Sequence, residues 1–228
     1  MAVDTDIQER LQDGYHTLML EYAAGTLDQA QDLIVAAHLA LSPLARNVVR
    51  SCEAMGGFLL EHECQPVAMK PQSLQSLMQK LDEPCHDDDA CRAACKAAFA
   101  EEIELPGMLA DVLQAQKKPP RWKPLYPGMK SVDLKMACRN SAARFLKIDP
   151  ATKTPHHSHR GMEITLVLNG AFEDETGLYK RGDLIVTDET CEHTPVACPK
   201  NGCVCMIVTS APIKLMGLAG LLNPFLRK

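Results

Sequence analysis

The segment from His156 to Glu163 reads His-His-Ser-His-Arg-Gly-Met-Glu and concentrates the metal-binding side chains of this sequence. Residues two apart on an extended strand face the same side, so His157 and His159 can point one way together. Glu163 lies four residues past His159, and Gly170 seven further on. His193 follows after a turn at Gly182 and one more strand. Three imidazoles and one carboxylate suit a divalent transition ion and leave positions open for water or a ligand. A histidine run alone would equally describe a surface loop. The combination His-x-His-x3-Glu-x6-Gly, then Gly-x10-His, is much more specific, and it makes His157, His159, Glu163 and His193 the candidate metal ligands. Zinc, manganese, iron or nickel all fit that set. His156 is expected on the opposite face of the strand as a rim residue, and Glu192 is expected to face out.

Such a site needs a β framework, and from about Trp122 apolar residues alternate or run briefly between turn residues. The clearest strands are 131–138, 142–148, 162–168, 184–187 and 203–209, with turns at Asn169-Gly170 and Arg181-Gly182. Short strands at close spacing imply a small sandwich or barrel. Cys203 and Cys205 share one strand face as small core residues and are too far apart for disulfide geometry.

The first part of the chain has a helical period instead. Leu11, Tyr15, Leu18, Met19 and Tyr22 share a face, and Gly25 can end that helix in a left-handed conformation. Thr26 with Gln29 forms a capping box for a second helix, whose face is Leu27, Ala30, Leu33, Ile34, Ala37 and Leu41. Ser42-Pro43 opens a third helix carrying Leu44, Val48, Cys52, Met55 and Leu59. A fourth starts near Pro71 and uses Leu74, Leu77, Met78 and Leu81. Three regions follow: a helical domain over 1–82, a partly helical linker over 83–119 with Cys85, Cys91 and Cys95, and a β-barrel over 120–228. The fold class is multidomain, α plus all-β.

Composition narrows the function. The 228 residues carry a formal net charge of −5 and no basic stripe, which argues against direct nucleic-acid binding. The opening 14 residues are polar and acidic, and no apolar run is long enough to span a bilayer, so a cytoplasmic chain with no membrane partner is expected. Ten cysteines in that setting read as thiols rather than a disulfide framework.

The histidine and glycine spacing resembles the cupin superfamily. Positions 157, 159, 163 and 170 match its first motif, and Gly182 and His193 its second. Ala151 stands where the first motif opens on glycine; Asp188, Thr190 and Ala197 replace the usual Pro, Gly and Asn of the second. The stretches 159–172 and 174–176, together with 192–197, Cys203-x-Cys205, 22–27 and 37–39, are similar to the ChrR family of anti-sigma factors, which carry a cupin-like C-terminal domain. The resemblance covers about 10–80 and 120–228. It implies a transcription regulator whose helical domain binds an extracytoplasmic-function sigma factor. It further implies a metal-cupin domain, with zinc, that senses singlet oxygen or organic hydroperoxide and has room for a small-molecule ligand in the barrel.

The family's helical domain normally holds a second zinc through an upstream histidine and a His-x3-Cys-x2-Cys motif. Here Asp13, His38, Ser42 and Ala45 stand at those positions, so the resemblance implies that this zinc is lost. Two alternatives remain: a diverged metal-binding cupin without sigma-factor control, and a cupin dioxygenase-like enzyme. No acid–base residue beyond the ligands supports catalysis, and an enzyme would not need the match to span both halves.

Overall fold

A computed structural model describes residues 5–81, 105–116, 120–136, 138, 140–211 and 214–215. Most of the expected linker, with Cys85, Cys91 and Cys95, and the last residues of the expected barrel region lie outside these residues.

Five helices precede the strands among the described residues: α1 (Thr5–Ala23), α2 (Gln29–Leu41), α3 (Pro43–Glu63), α4 (Ser73–Leu81) and α5 (Gly107–Gln114). Gly25 ends α1 with φ +67°, as its position predicts. The capping box of α2 sits two residues later than the sequence suggests. Asp28 accepts from the N–H groups of Ala30 and Gln31, and the Gln31 side chain accepts from Asp28 N–H. Thr26 instead donates to the Glu21 carbonyl. Ser42 caps α3 by accepting from Ala45 N–H, with Pro43 in the first turn.

The strands are β1 (Lys123–Tyr126), β2 (Met129–Leu134), β3 (Ala142–Ile148), β4 (His157–Ser158), β5 (Glu163–Asp174), β6 (Gly177–Lys180), β7 (Leu184–Thr187), β8 (Glu192–His193), β9 (Val196–Ala197), β10 (Cys203–Thr209) and β11 (Lys214–Leu215). An antiparallel sheet runs β1-β2-β3-β10-β5-β6, with β7 and β9 also paired to β5. A small sheet runs β11-β4-β8. Asn169-Gly170 does not end its strand. β5 continues through it with a bulge opposite Val204 and Cys205, and Gly170 takes φ +71° where a Cβ would lie 2.1 Å from the Gly202 carbonyl oxygen.

Strand alternation divides the apolar residues into two cores. Ile164, Leu166 and Leu168 of β5, Phe145 of β3 and Met206 of β10 pack with Leu18, Ile34 and Leu109 of the helices. Val167, Cys203, Cys205, Leu146 and Ile148 point the other way and fill the barrel. The helices therefore cover the outer face of the sheet. No described helix is long and apolar enough to cross a membrane.

The predicted apolar faces of α3 and α4 are not core. Ala45 and Val49 are buried, whereas Leu44, Met55 and Leu59 are exposed, as are Leu74, Leu77, Met78 and Leu81. Residues 53–63 of α3 are exposed throughout, so its apolar period continues past the part that is buried.

Candidate metal centre

His157 on β4 and His193 on β8 are directly opposed in an antiparallel pair. That pairing, rather than one long strand, brings them together. β4 is two residues long, and His159 lies in the loop after it, with Glu163 opening β5. All four side chains are buried, and one ligand atom from each lies within 4.8 Å of the others. His156 stays on the rim, bonded to the Thr194 hydroxyl, and it pairs with the outward Glu192 at 3.5 Å.

The hydrogen bonds orient the rings. His157 Nδ1 donates to the Pro155 carbonyl at 2.9 Å, and His193 Nδ1 donates to Asp174 Oδ2 at 2.9 Å. Their Nε2 atoms then present lone pairs, and they face each other at 3.1 Å. His159 Nε2 is 3.2 Å from His193 Nε2. Lone pairs this close repel unless a proton or a cation stands between them. Donors ~2.1 Å from one ion stand about 3.0–3.4 Å apart, so the spacing matches that of ligands around a metal.

The electrostatics agree. Burial, with His193 beside each ring, pushes His157 down to about 4 and His159 down to about 3, so both are neutral ligands at neutral pH. Burial pushes the Glu163 carboxyl up, against the weaker pull of His193 and the Thr165 hydroxyl. A carboxylate there is short of positive charge, and a divalent ion would supply it. His159 Nδ1 is buried with no hydrogen-bond partner, 3.6 Å from Glu163 Oε2. The donor set and its unmet charge fit a metal ion. Such an ion would supply a Lewis-acidic centre with open positions.

Asp174, at the far end of β5, is not singled out by spacing. It is 19 residues from His193, and no motif links the two. Burial alone would raise its pKa, but hydrogen bonds from His193 and from the Thr176 hydroxyl and N–H hold it below the usual range. Thr176 in turn is 2.6 Å from the Tyr179 hydroxyl. A carboxylate–histidine pair of this kind fixes ring orientation and raises ligand basicity. Its sequence signal is a polar residue at the end of an apolar strand, inside the 174–176 stretch that resembles the ChrR family, and nothing there marks it as a partner of His193.

Three cysteines and Ala151 complete the surroundings of the centre. Cys203 and Cys205 are free, buried and inside the barrel; the Cys203 thiol beside it and burial raise the Cys205 thiol well above its ordinary value. Cys191, next to the last histidine, is buried and pushed up to about 11, which keeps it a neutral thiol. Ala151, at the motif's glycine position, adopts φ +57°, so the turn keeps the left-handed geometry without the glycine.

Comparison with known proteins follows the same lines. A family model for the ChrR cupin-like domain matches residues 111–212. The anti-sigma-E factor ChrR of Cereibacter sphaeroides is 38% identical over 211 residues, covering 92% of this chain and 95% of that protein. The crystal structure of Rhodobacter sphaeroides SigE in complex with the anti-sigma ChrR matches with a TM-score of 0.68 at 38% identity, covering 85% of this chain and 96% of that one. Helices and barrel are both included at that coverage, and the chain belongs to the ChrR family of anti-sigma factors with a cupin-like domain.

Proposed function

We propose that this chain is an anti-sigma factor. Its helical region, 1–82, binds an extracytoplasmic-function sigma factor, and its barrel, 120–228, holds one divalent metal through His157, His159, Glu163 and His193. Residues 83–119 join the two. The observation that carries the reading is an apolar stripe left bare, in a chain similar along 92% of its length to an anti-sigma factor. Leu74, Leu77, Met78 and Leu81 recur at helical spacing on α4 and are 54–70% exposed. Phe58, Leu59 and Leu60 on α3 are exposed too. Apolar helix faces of this kind serve as partner-binding surfaces. The relative crystallised with SigE supplies the class of partner.

Zinc is the metal favoured by the family likeness, and the protein acts in the cytoplasm, where its partner meets RNA polymerase. The barrel senses oxidative stress, as singlet oxygen or organic hydroperoxide, or through a small-molecule ligand at the open metal positions. The test is transcription reconstituted with RNA polymerase and each extracytoplasmic-function sigma factor of the source cell. One of them should lose activity at stoichiometric amounts of the full-length protein. Undiminished transcription with all of them would sink the proposal.

A further inference from the structure

The zinc expected between the first helices of this family does not fit the residues of this chain. Of Asp13, His38, Ser42 and Ala45, only His38 offers a ring nitrogen, and both of its nitrogens are engaged. His38 is buried at 4% exposure. Its Nδ1 lies 2.8 Å from the Gly182 carbonyl oxygen, a bond that only an N–H can make. The proton therefore sits on Nδ1, and Nε2 accepts from the Tyr15 hydroxyl at 3.1 Å. The Ser42 hydroxyl accepts from Ala45 N–H as the α3 cap, Ala45 has no donor atom, and Asp13 is exposed.

We infer that the helical region of this chain works without a metal, and that His38 serves instead as the joint that fixes α1 and α2 on the barrel through Tyr15 and Gly182. Its place in the fold gives the joint reach. Gly182 N–H donates to the Val167 carbonyl at 2.8 Å, and Val167 N–H donates to the Asp183 carbonyl at 3.0 Å. Val167 belongs to β5, the strand that opens on Glu163, and β7, just past Gly182, pairs Thr187 with Glu163. His38 thus grips the turn that joins the strands beside the candidate metal centre. Two further contacts seat the same helices. At the other end of α2, the Ser141 hydroxyl donates to the Asp28 carboxylate. On α1, Gly14 lies so close to β7 that a Cβ would be 3.2 Å from Val186 Cγ1. His38 is a positioning residue here: it acts through the Gly182 turn and touches none of the four candidate ligands.

The test uses full-length protein and zinc alone. Titration should give one equivalent bound to both the parent and His38→Ala, and none to His157→Ala/His159→Ala. Two equivalents on the parent, one of them lost in His38→Ala, would overturn the inference. The zinc count rests on the proposed barrel site, so hydrogen exchange is followed separately on metal-free protein. His38→Ala should speed exchange of amides in 29–41 and 180–184 by about tenfold. Tyr15→Phe should do so by less, and His38→Gln, which keeps a donor, should recover part of the protection. Unchanged exchange in His38→Ala would equally overturn it. If the parent binds no zinc at all, the barrel-site reading falls, while the exchange arm still decides the role of His38.

Discussion

At the scale of single residues, the centre depends on the nitrogens being aimed as much as on their being present. Pro155 and Asp174 each hold one Nδ1 proton, so the Nε2 lone pairs of His157 and His193 converge. Asp174→Asn keeps the shape but removes the charge, and it should weaken zinc affinity by about 10–100-fold in a chelator competition. His157→Ala/His159→Ala should abolish zinc uptake. The buried imidazoles also set a pH dependence. His157 and His159 titrate below the ordinary 6.5 in the folded chain, at about 4 and about 3. As pH falls below 6.5, the unfolded chain takes up protons that the folded chain refuses, so stability is lost through that window. Glu163, pushed up by burial, works in the opposite sense. Thermal melts of the metal-free protein at pH 7 and pH 5 should show a larger drop for the parent than for the double variant, which keeps Glu163.

Among elements, β5 presents two faces with different neighbours. Glu163 and Val167 face inward, while Ile164, Leu166 and Leu168 face the helices. One strand therefore borders the candidate metal and the helical layer at once. The turn at Ala151 holds a left-handed φ of +57°, which costs an alanine roughly 1–2 kcal/mol. Ala151→Gly should therefore stabilise the protein by about 1 kcal/mol, read as a rise of about 2–4 °C in Tm. The α4 stripe gives the opposite kind of prediction. Because Leu77 and Met78 are exposed, Leu77→Asp/Met78→Asp should leave Tm nearly unchanged while removing sigma-factor binding in a pull-down. Retained binding would place the partner elsewhere on the chain.

For the whole molecule, helices and barrel share one apolar core across the outer face of the sheet. Leu18, Ile34 and Leu109 cannot be uncovered without exposing Phe145, Leu166 and Met206. Loss of α2 amide protection and loss of β3 and β10 amide protection, each followed by hydrogen exchange through a denaturant series, should coincide in one transition. Two separated midpoints would mean that the helical layer opens independently. Within such a core, a contact such as His38 to Gly182 adds direction rather than bulk affinity: it sets where α2 lies on the barrel.

Much of this protein is legible in its sequence, because short-range physics decides it. The spacing of His157, His159, Glu163 and His193 brings out the four residues that meet in space. The apolar runs between turn residues give the bounds of β3, β7 and β10 to the residue, and Gly25 and Ser42-Pro43 mark helix ends, because φ preference and capping are local. Three features needed the tertiary structure. Whether an apolar helix stripe is core or surface depends on what lies over it, and the described fold leaves Leu59, Leu74 and Leu77 bare. Asp174 meets His193 only after β5 has run its full length past Gly170, a distance no local pattern spans. His38 reads in sequence as the remnant of a lost zinc site. Only the packing of α2 against α1 and against the barrel turn, 144 residues away, shows its two nitrogens bonded to Tyr15 and to Gly182.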